Sequence, residues 1–264
     1  MKRSFFLLIT CFLASVSFVK DASAQTPVYV AAYDYPPYFS TGLETDVTRE
    51  LIQILNDYQD TYDFQLQVIP PNARYQALSK DGCCDVIFFE SEEWGWKGKA
   101  VDATIPIIRG RERFIAKRIP GRTQAFFSSL DDKTVGAVKG YHYNFDGNER
   151  TADELGSSYR AYLSHSALTN LRMLMGGRID IMPINDELLS ALQNAGDQYE
   201  KDLLVSDQIF DDYMLSMIVG HNKRLTRETM QQLVRELARQ GHIDKLLQRF
   251  NLSRFQVYRI GLRR

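Results

Sequence analysis

The chain is poor in the residues that build metal and redox centres. It has three cysteines and four histidines in 264 residues. Cys11 lies in an apolar N-terminal run, which leaves the adjacent pair Cys83-Cys84. No Cys/His cluster has metal-ligand spacing, so a zinc site is not expected. There is no HExxH helix, nucleophile elbow or phosphate-binding glycine loop, and no cofactor is expected. An excess of one charge is missing too: 32 Lys and Arg stand against 33 Asp and Glu, a net charge of −1, with no basic stripe. That balance argues against a nucleic-acid partner. The basic tail of Arg254, Arg259, Arg263 and Arg264 reads as a solvated end. Beyond residue 19 no stretch is apolar enough to span a bilayer, which takes about 20 residues.

What is present begins with a processing segment. Lys2 and Arg3 precede an almost wholly apolar run over residues 4 to 19, and Ala22-Ser23-Ala24 supplies small residues at signal-peptidase spacing. Residues 1–24 therefore read as a signal peptide cleaved before Gln25, and the protein as exported. Thr10 before Cys11, and the apolar residues after it, argue against lipidation there. In the oxidising compartment this implies, Cys83 and Cys84 either close a strained ring disulfide or remain two buried thiols at a strand's edge. The burial tendency of free cysteine favours the thiols.

The rest of the chain alternates between strand-like and helix-like segments. Residues 28 to 33 read as a buried strand, and Val47, Leu51, Ile54, Leu55 and Tyr58 then share one helical face. Residues 64 to 69 alternate and stop at Pro70-Pro71; a short helix to about Lys80 and a strand from Asp85 to Phe89 follow. That order predicts an α/β fold with a mostly parallel sheet covered by helices. The cycle then restarts. Residues 111 to 118 form an extended crossing, 134 to 139 a strand, and Leu168 to Met175 a helix stopped by Gly176-Gly177. Residues 179 to 184 are a strand whose Pro183 belongs at an edge or strand end, and 186 to 195 a helix. After residues 213 to 220, Met230, Leu233, Val234 and Leu237 stripe a long helix broken at Gly241, and Ile243, Leu246, Leu247 and Phe250 a shorter one. This helical end needs a sheet to cover, and the first unit is its natural host. Two crossings, near residues 112 to 118 and 208 to 216, join the units.

The ordered set of motifs resembles the family-3 extracellular solute-binding proteins, the group that contains the polar amino-acid receptors of ABC importers. The likeness rests on Tyr35-Pro36-Pro37-Tyr38, the helix from Asp46 to Leu55, Ala77-Leu78 with Gly82 and Asp85, Lys139-Gly140, Leu174 to Asp180, and Ala238 to Phe250. The resemblance implies a two-lobed, type II periplasmic-binding-protein-like fold, each lobe a mainly parallel sheet flanked by helices. Lobe one would comprise residues 25 to 113 plus 216 to 264, and lobe two residues 114 to 215. The resemblance further implies a monomeric periplasmic protein that closes on a small polar ligand, an amino acid or related small acid. It would deliver that ligand to the membrane permease of an ABC importer. Some members of the group are dehydratases of cyclic acids, but no residue pair here demands that chemistry; a soluble sensory receptor is the other alternative.

Two departures from the amino-acid receptors stand out. The Arg that follows the third strand of lobe one and grips the ligand carboxylate is missing, because the region reads Glu90-Ser91-Glu92-Glu93-Trp94-Gly95-Trp96-Lys97. Tyr141-His142 stands where Ser or Thr usually follows the lobe-two glycine, and the acidic residue closing the lobe-two strand falls on Asn185, with Asp186 beside it.

Ligands of parallel sheets bind outside the carboxyl ends of the strands, so loops supply the candidates. The run Asp34-Tyr35-Pro36-Pro37-Tyr38 is a stiffened turn presenting two rings, either of which could equally fill the turn's own core. Arg74, after Pro70-Pro71, suits two-pronged carboxylate binding, against the ordinary outcome of a solvated arginine. Glu90, at a strand's end, suits a ligand amine. Trp94 and Trp96, the only tryptophans, suit stacking on a planar, sugar-like or cationic ligand, with at least one ring expected to fill the core. The second lobe offers Tyr141, His142, Asn185 and Asp186 by position.

Overall fold

Val28 and Val30 bury on one face of strand β1 (Thr26–Ala32) and Ala31 on the other, so this strand must be covered from both sides. The structure, a computed structural model, describes residues 24–145, 150–194 and 199–257. Residues 1–23 of the predicted leader, with Cys11, lie outside the described residues, as do Arg259, Arg263 and Arg264.

The cover on one side begins with α1 (Val47–Tyr58). Asp46 caps it by accepting the Arg49 backbone N–H at 2.8 Å, and Val47, Leu51 and Leu55 face the sheet. β2 (Tyr62–Val68) then pairs parallel to β1 along its whole length. A 3₁₀ turn at Pro71–Ala73 leads into α2 (Arg74–Leu78), shorter than the sequence suggested. β3 (Val86–Glu90) lies parallel on the other side of β1, and the short β4 (Val101–Ala103) pairs antiparallel with residues 218–220. Strand β5 (Ile108–Lys117) leads out of this lobe.

The second lobe contains β6 (Val135–Val138), the small ladder of β7 (His142–Tyr143) and β8 (Arg150–Thr151), then α3 (Ala152–Ser158) and β9 (Ala161–Ser164). After these come α4 (Ala167–Met175), β10 (Met182–Asn185), α5 (Asp186–Asn194) and α6 (Tyr199–Asp202). β6 and β9 are parallel, and β10 ends the larger sheet against β5, where the missing N–H of Pro183 is tolerated. The return strand β11 (Leu203–Gly220) has 18 residues. It pairs antiparallel with β5 from Leu203↔Lys117 to Leu215↔Ile108, then enters the first lobe beside β3. The two crossings read from the sequence are thus one antiparallel ribbon, running through a sheet of order β10-β5-β11-β3-β1-β2.

α7 (Arg227–Arg239) and α8 (His242–Arg249) then return to β1. Met230, Val234, Leu237, Ile243, Leu246 and Leu247 share a core with Val28, Val30 and Leu51. The other face of the sheet is covered by Ala77, Leu78 and Trp96 over Ala31 and Ile87. The expectation of an α/β, two-lobed fold with mainly parallel sheets agrees with this arrangement. Among the described residues no helix is long and apolar enough to cross a membrane.

The cysteine expectation is corrected. Cys83 and Cys84 are joined by a disulfide, not held as two buried thiols. The burial argument failed because only Cys84 enters the core; Cys83 stands exposed in the turn before β3.

Candidate functional site

The site forms where the loops after β1, β3 and β6 meet across the ribbon. β3 ends irregularly: Ser216 opposes Glu90 while Ile218 opposes Ile87, so β3 carries one extra residue, and Phe89 takes a left-handed φ of 57°. Such a bulge re-aims the residue after it. Here it directs Glu90 inward, where its carboxylate is wholly buried. Glu90 Oε2 accepts the Tyr33 hydroxyl at 2.6 Å, and Oε1 accepts Trp96 Nε1 at 3.1 Å. Arg74 Nε lies 3.2 Å from the same Oε1.

Arg74 is 2 % exposed, so it is neither a solvated arginine nor an unoccupied clamp. Its Nη1 donates to the Pro71 and Gly140 carbonyls, each at 2.7 Å, and Nη2 to the Tyr75 hydroxyl at 2.9 Å. The bond to Gly140 crosses between lobes. Gly140 has φ 84°, and a side chain there would bring a Cβ to 2.8 Å from the Asn72 backbone nitrogen, so glycine is what lets the lobes approach. Burial raises the Glu90 carboxyl above its usual range, and the Arg74 charge pulls it back down.

Other contacts also bridge the lobes. The Tyr141 hydroxyl donates to the Asp34 carbonyl, and Asn185 Nδ2 donates to the Pro36 carbonyl at 3.3 Å. His142 Nε2 lies 2.9 Å from the Tyr75 hydroxyl, which itself donates to the Trp94 carbonyl at 2.7 Å. Tyr38 donates to Glu187 Oε1 at 3.0 Å, and Tyr213 reaches the same oxygen at 3.3 Å. Gly110 makes room for that pair, since a Cβ there would collide with both Tyr213 and Glu187. The conformation is closed.

Between the facing loops lie two small cavities, of about 10 and 20 Å³. Tyr33, Tyr35, Arg74, Trp94, Glu112, Tyr141 and His142 line the first. The second adds Asn185, Tyr143 and Pro36 and shares Tyr35, Glu112 and Tyr141 with it. Glu112 is 7 % exposed and its Oε2 has no hydrogen-bond partner among the described residues. Burial pushes its carboxyl well above the usual range, and Asp211 and Glu187 push the same way. Burial also raises Glu187 to about 7.

Of the residues read from the sequence, Tyr35, Arg74, Trp94, Tyr141, His142 and Asn185 line these cavities. The others stand elsewhere. Tyr38 stacks on Phe89 with centroids 4.8 Å apart and braces Glu187. Asp34 offers its carbonyl to Tyr141, one carboxylate oxygen accepts Ser40 Oγ at 2.7 Å, and the other, buried, has no partner among the described residues. Glu90 serves Arg74 rather than facing the cavity, and Trp96 is core. Asp186 pairs with Arg113 at 2.7 Å, away from the cavities. Sequence reasoning missed Tyr33, Glu112, Glu187 and Tyr213. Glu112 was legible in principle, because strand alternation sets it in phase with Gly110 and Phe114 and out of phase with Arg111 and Arg113. Among the described residues no group of His, Cys, Asp and Glu is placed to hold a metal ion.

No protein-family model matches the sequence, and no curated protein matches it. Solved structures do match in fold. A substrate-binding protein of an amino-acid ABC transporter shares 16 % identity at a TM-score of 0.64, over 85 % of this chain and 98 % of that one. The L-arginine-bound amino-acid ABC transporter substrate-binding protein AbpA of Streptococcus pneumoniae shares 16 % at 0.63, over 87 % and 96 %. The ancestral amino-acid-binding protein AncCDT-1, a precursor of cyclohexadienyl dehydratase, shares 15 % at 0.63, over 85 % and 95 %. The chain therefore has the two-lobed fold of these binding proteins.

Proposed function

We propose that the protein is a solute-binding component of an ABC importer, exported after cleavage before Gln25, that captures a small polar ligand by closing its lobes. The lobe boundaries belong to the same reading: residues 25 to 113 with 216 to 264, against 114 to 215, hinged on the β5–β11 ribbon. One observation carries it. Arg74, Tyr141 and Asn185 reach backbone carbonyls of the opposite lobe around cavities lined by side chains from both. A ligand that favours the closed state shifts the population toward it. The permease then reads the closed form.

The test is a thermal-shift screen of amino acids, amines, organic acids and small sugars. A true ligand at a hundredfold excess over its Kd adds about 2.7 kcal/mol. For a chain of this size that raises the Tm by roughly 5–10 °C. A screen without any shift would remove the reading.

A dehydratase reading has one observation in its favour. Glu112, buried with a raised pKa, is the kind of group that donates a proton to a leaving hydroxyl. The fold neighbour AncCDT-1 is a precursor of such an enzyme. Incubation with cyclohexadienyl acids separates the two: turnover supports the enzyme, and binding without product supports capture.

A further inference from the structure

We propose that the cleft selects a small organic cation, an ammonium group without an α-carboxylate, with Glu112 as counter-ion inside the ring of Tyr33, Tyr35, Trp94 and Tyr141. The inference rests on the solute-binding reading above and names its ligand class.

The charges on the cavity walls point this way. Arg74 and Glu112 are the formally charged residues lining the two cavities, with His142 and the tyrosines beside them. Arg74 is answered by a carboxylate the protein itself supplies, Glu90, held by Tyr33 and Trp96. A ligand carboxylate would have to displace that buried partner, or crowd a second negative group beside it. Glu112 is the opposite case. It lines both cavities, its buried Oε2 has no partner among the described residues, and its neighbours on the strand, Arg111 and Arg113, point to the other face. Arg113 is held by Asp186, and Arg111 lies 3.7 Å from Asp212. Burial and the neighbouring acids Asp211 and Glu187 disfavour the charged form of Glu112. A cation entering beside Glu112 supplies the opposite charge that its carboxylate lacks.

The aromatic surroundings agree. Tyr35 meets Trp94 edge-on at 5.5 Å and Tyr141 at 5.7 Å, while Tyr33 lies 6.1 Å from Tyr141. Rings around an acidic group, shielded from water, favour ammonium through cation–π attraction. The closed cavities are small, so the guest has few heavy atoms in its head group. Trp94 and Tyr141, half-buried and one from each lobe, are the rings that part to admit it.

Titration calorimetry on matched pairs decides the matter: agmatine against arginine, tyramine against tyrosine, histamine against histidine, ethanolamine against serine, with choline added. Each pair differs by one carboxylate. The expected result is an amine that binds at least tenfold tighter than its amino acid, with Glu112→Gln weakening that amine tenfold or more. The pairs are measured on the unaltered protein, so the outcome does not depend on how a variant folds. An amino acid that binds as tightly as its amine, or an organic acid or sugar as the best ligand, overturns the cation inference and leaves solute capture standing. No binding by any compound in either set overturns both.

Discussion

Arg74 and Glu90 partner each other at 3.2 Å with 2 % and 1 % of their side chains exposed, although one begins α2 and the other ends β3. The pair joins two loops of the first lobe, and Arg74 extends the link to Gly140 in the second. An arginine already answered by a built-in carboxylate has its charge met before any acidic molecule arrives.

Breaking this pair leaves a buried charge without compensation. Glu90→Ala should destabilise the protein by roughly 3–5 kcal/mol in urea unfolding, the usual cost of removing one partner of a buried ion pair. The double variant Arg74→Met/Glu90→Ala should recover part of that loss. If Glu90→Ala unfolds at the same urea concentration as the parent, the pair is not the anchor described.

The two tryptophans should separate cleanly. Trp96 is 3 % exposed, packs beside Ile87 and donates to Glu90, so Trp96→Ala should cost about 3–5 kcal/mol of stability. Trp94 is half-buried at the cavity wall, and Trp94→Ala should weaken ligand binding with a much smaller change in Tm. Equal effects on stability would return Trp94 to the core.

Stability should rise as the solution is made mildly acidic. Glu187 is raised from 4.5 to about 7 in the folded state by burial, so the folded protein holds this proton more tightly than the unfolded chain. Stability from this group is complete below about pH 4.5 and is lost as pH rises through about 7, at most roughly 3 kcal/mol. Glu112 shifts in the same direction. Asp212, lowered by its hydrogen bond to Arg109, acts oppositely and at lower pH. The groups around Glu187 are Tyr35, Tyr38, Tyr213, Glu112, Asp186 and the Arg111 backbone. Chemical denaturation between pH 5 and 8 checks this, and Glu187→Gln should flatten the profile. A profile that climbs toward pH 8 would be inconsistent with both carboxyls.

Cross-lobe bonds should hold the closed form. Tyr141→Phe and Asn185→Ala each remove one such bond, worth about 1 kcal/mol. Together they should enlarge the radius of gyration by small-angle scattering. An unchanged scattering curve would mean that other contacts set the closure.

Much of the fold was legible because long periodic segments announce themselves. The stripes Val47-Leu51-Leu55 and Met230-Val234-Leu237 became the buried faces of α1 and α7. The first half of β11 was missed because Ser206, Asp207 and Gln208 interrupt its apolar pattern, and β9 because it has four residues. The site was legible only in part. Position after a strand found Tyr35, Trp94 and Tyr141. It did not reveal that Glu90 would turn inward through the bulge at Phe89, or that Glu112 would end beneath both lobes. Those outcomes depend on pairing between strands far apart in sequence, which no local pattern encodes.

If one lobe closes on the other about the β5–β11 ribbon, the distance between the lobes must shorten. Spin labels on Asp57→Cys in α1 and Arg172→Cys in α4, both exposed sites, report that distance while Cys83 and Cys84 stay paired. With the tightest ligand from the titrations added, the distribution should collapse onto its short component. One distance, identical with and without bound ligand, would mean that the lobes do not close on it.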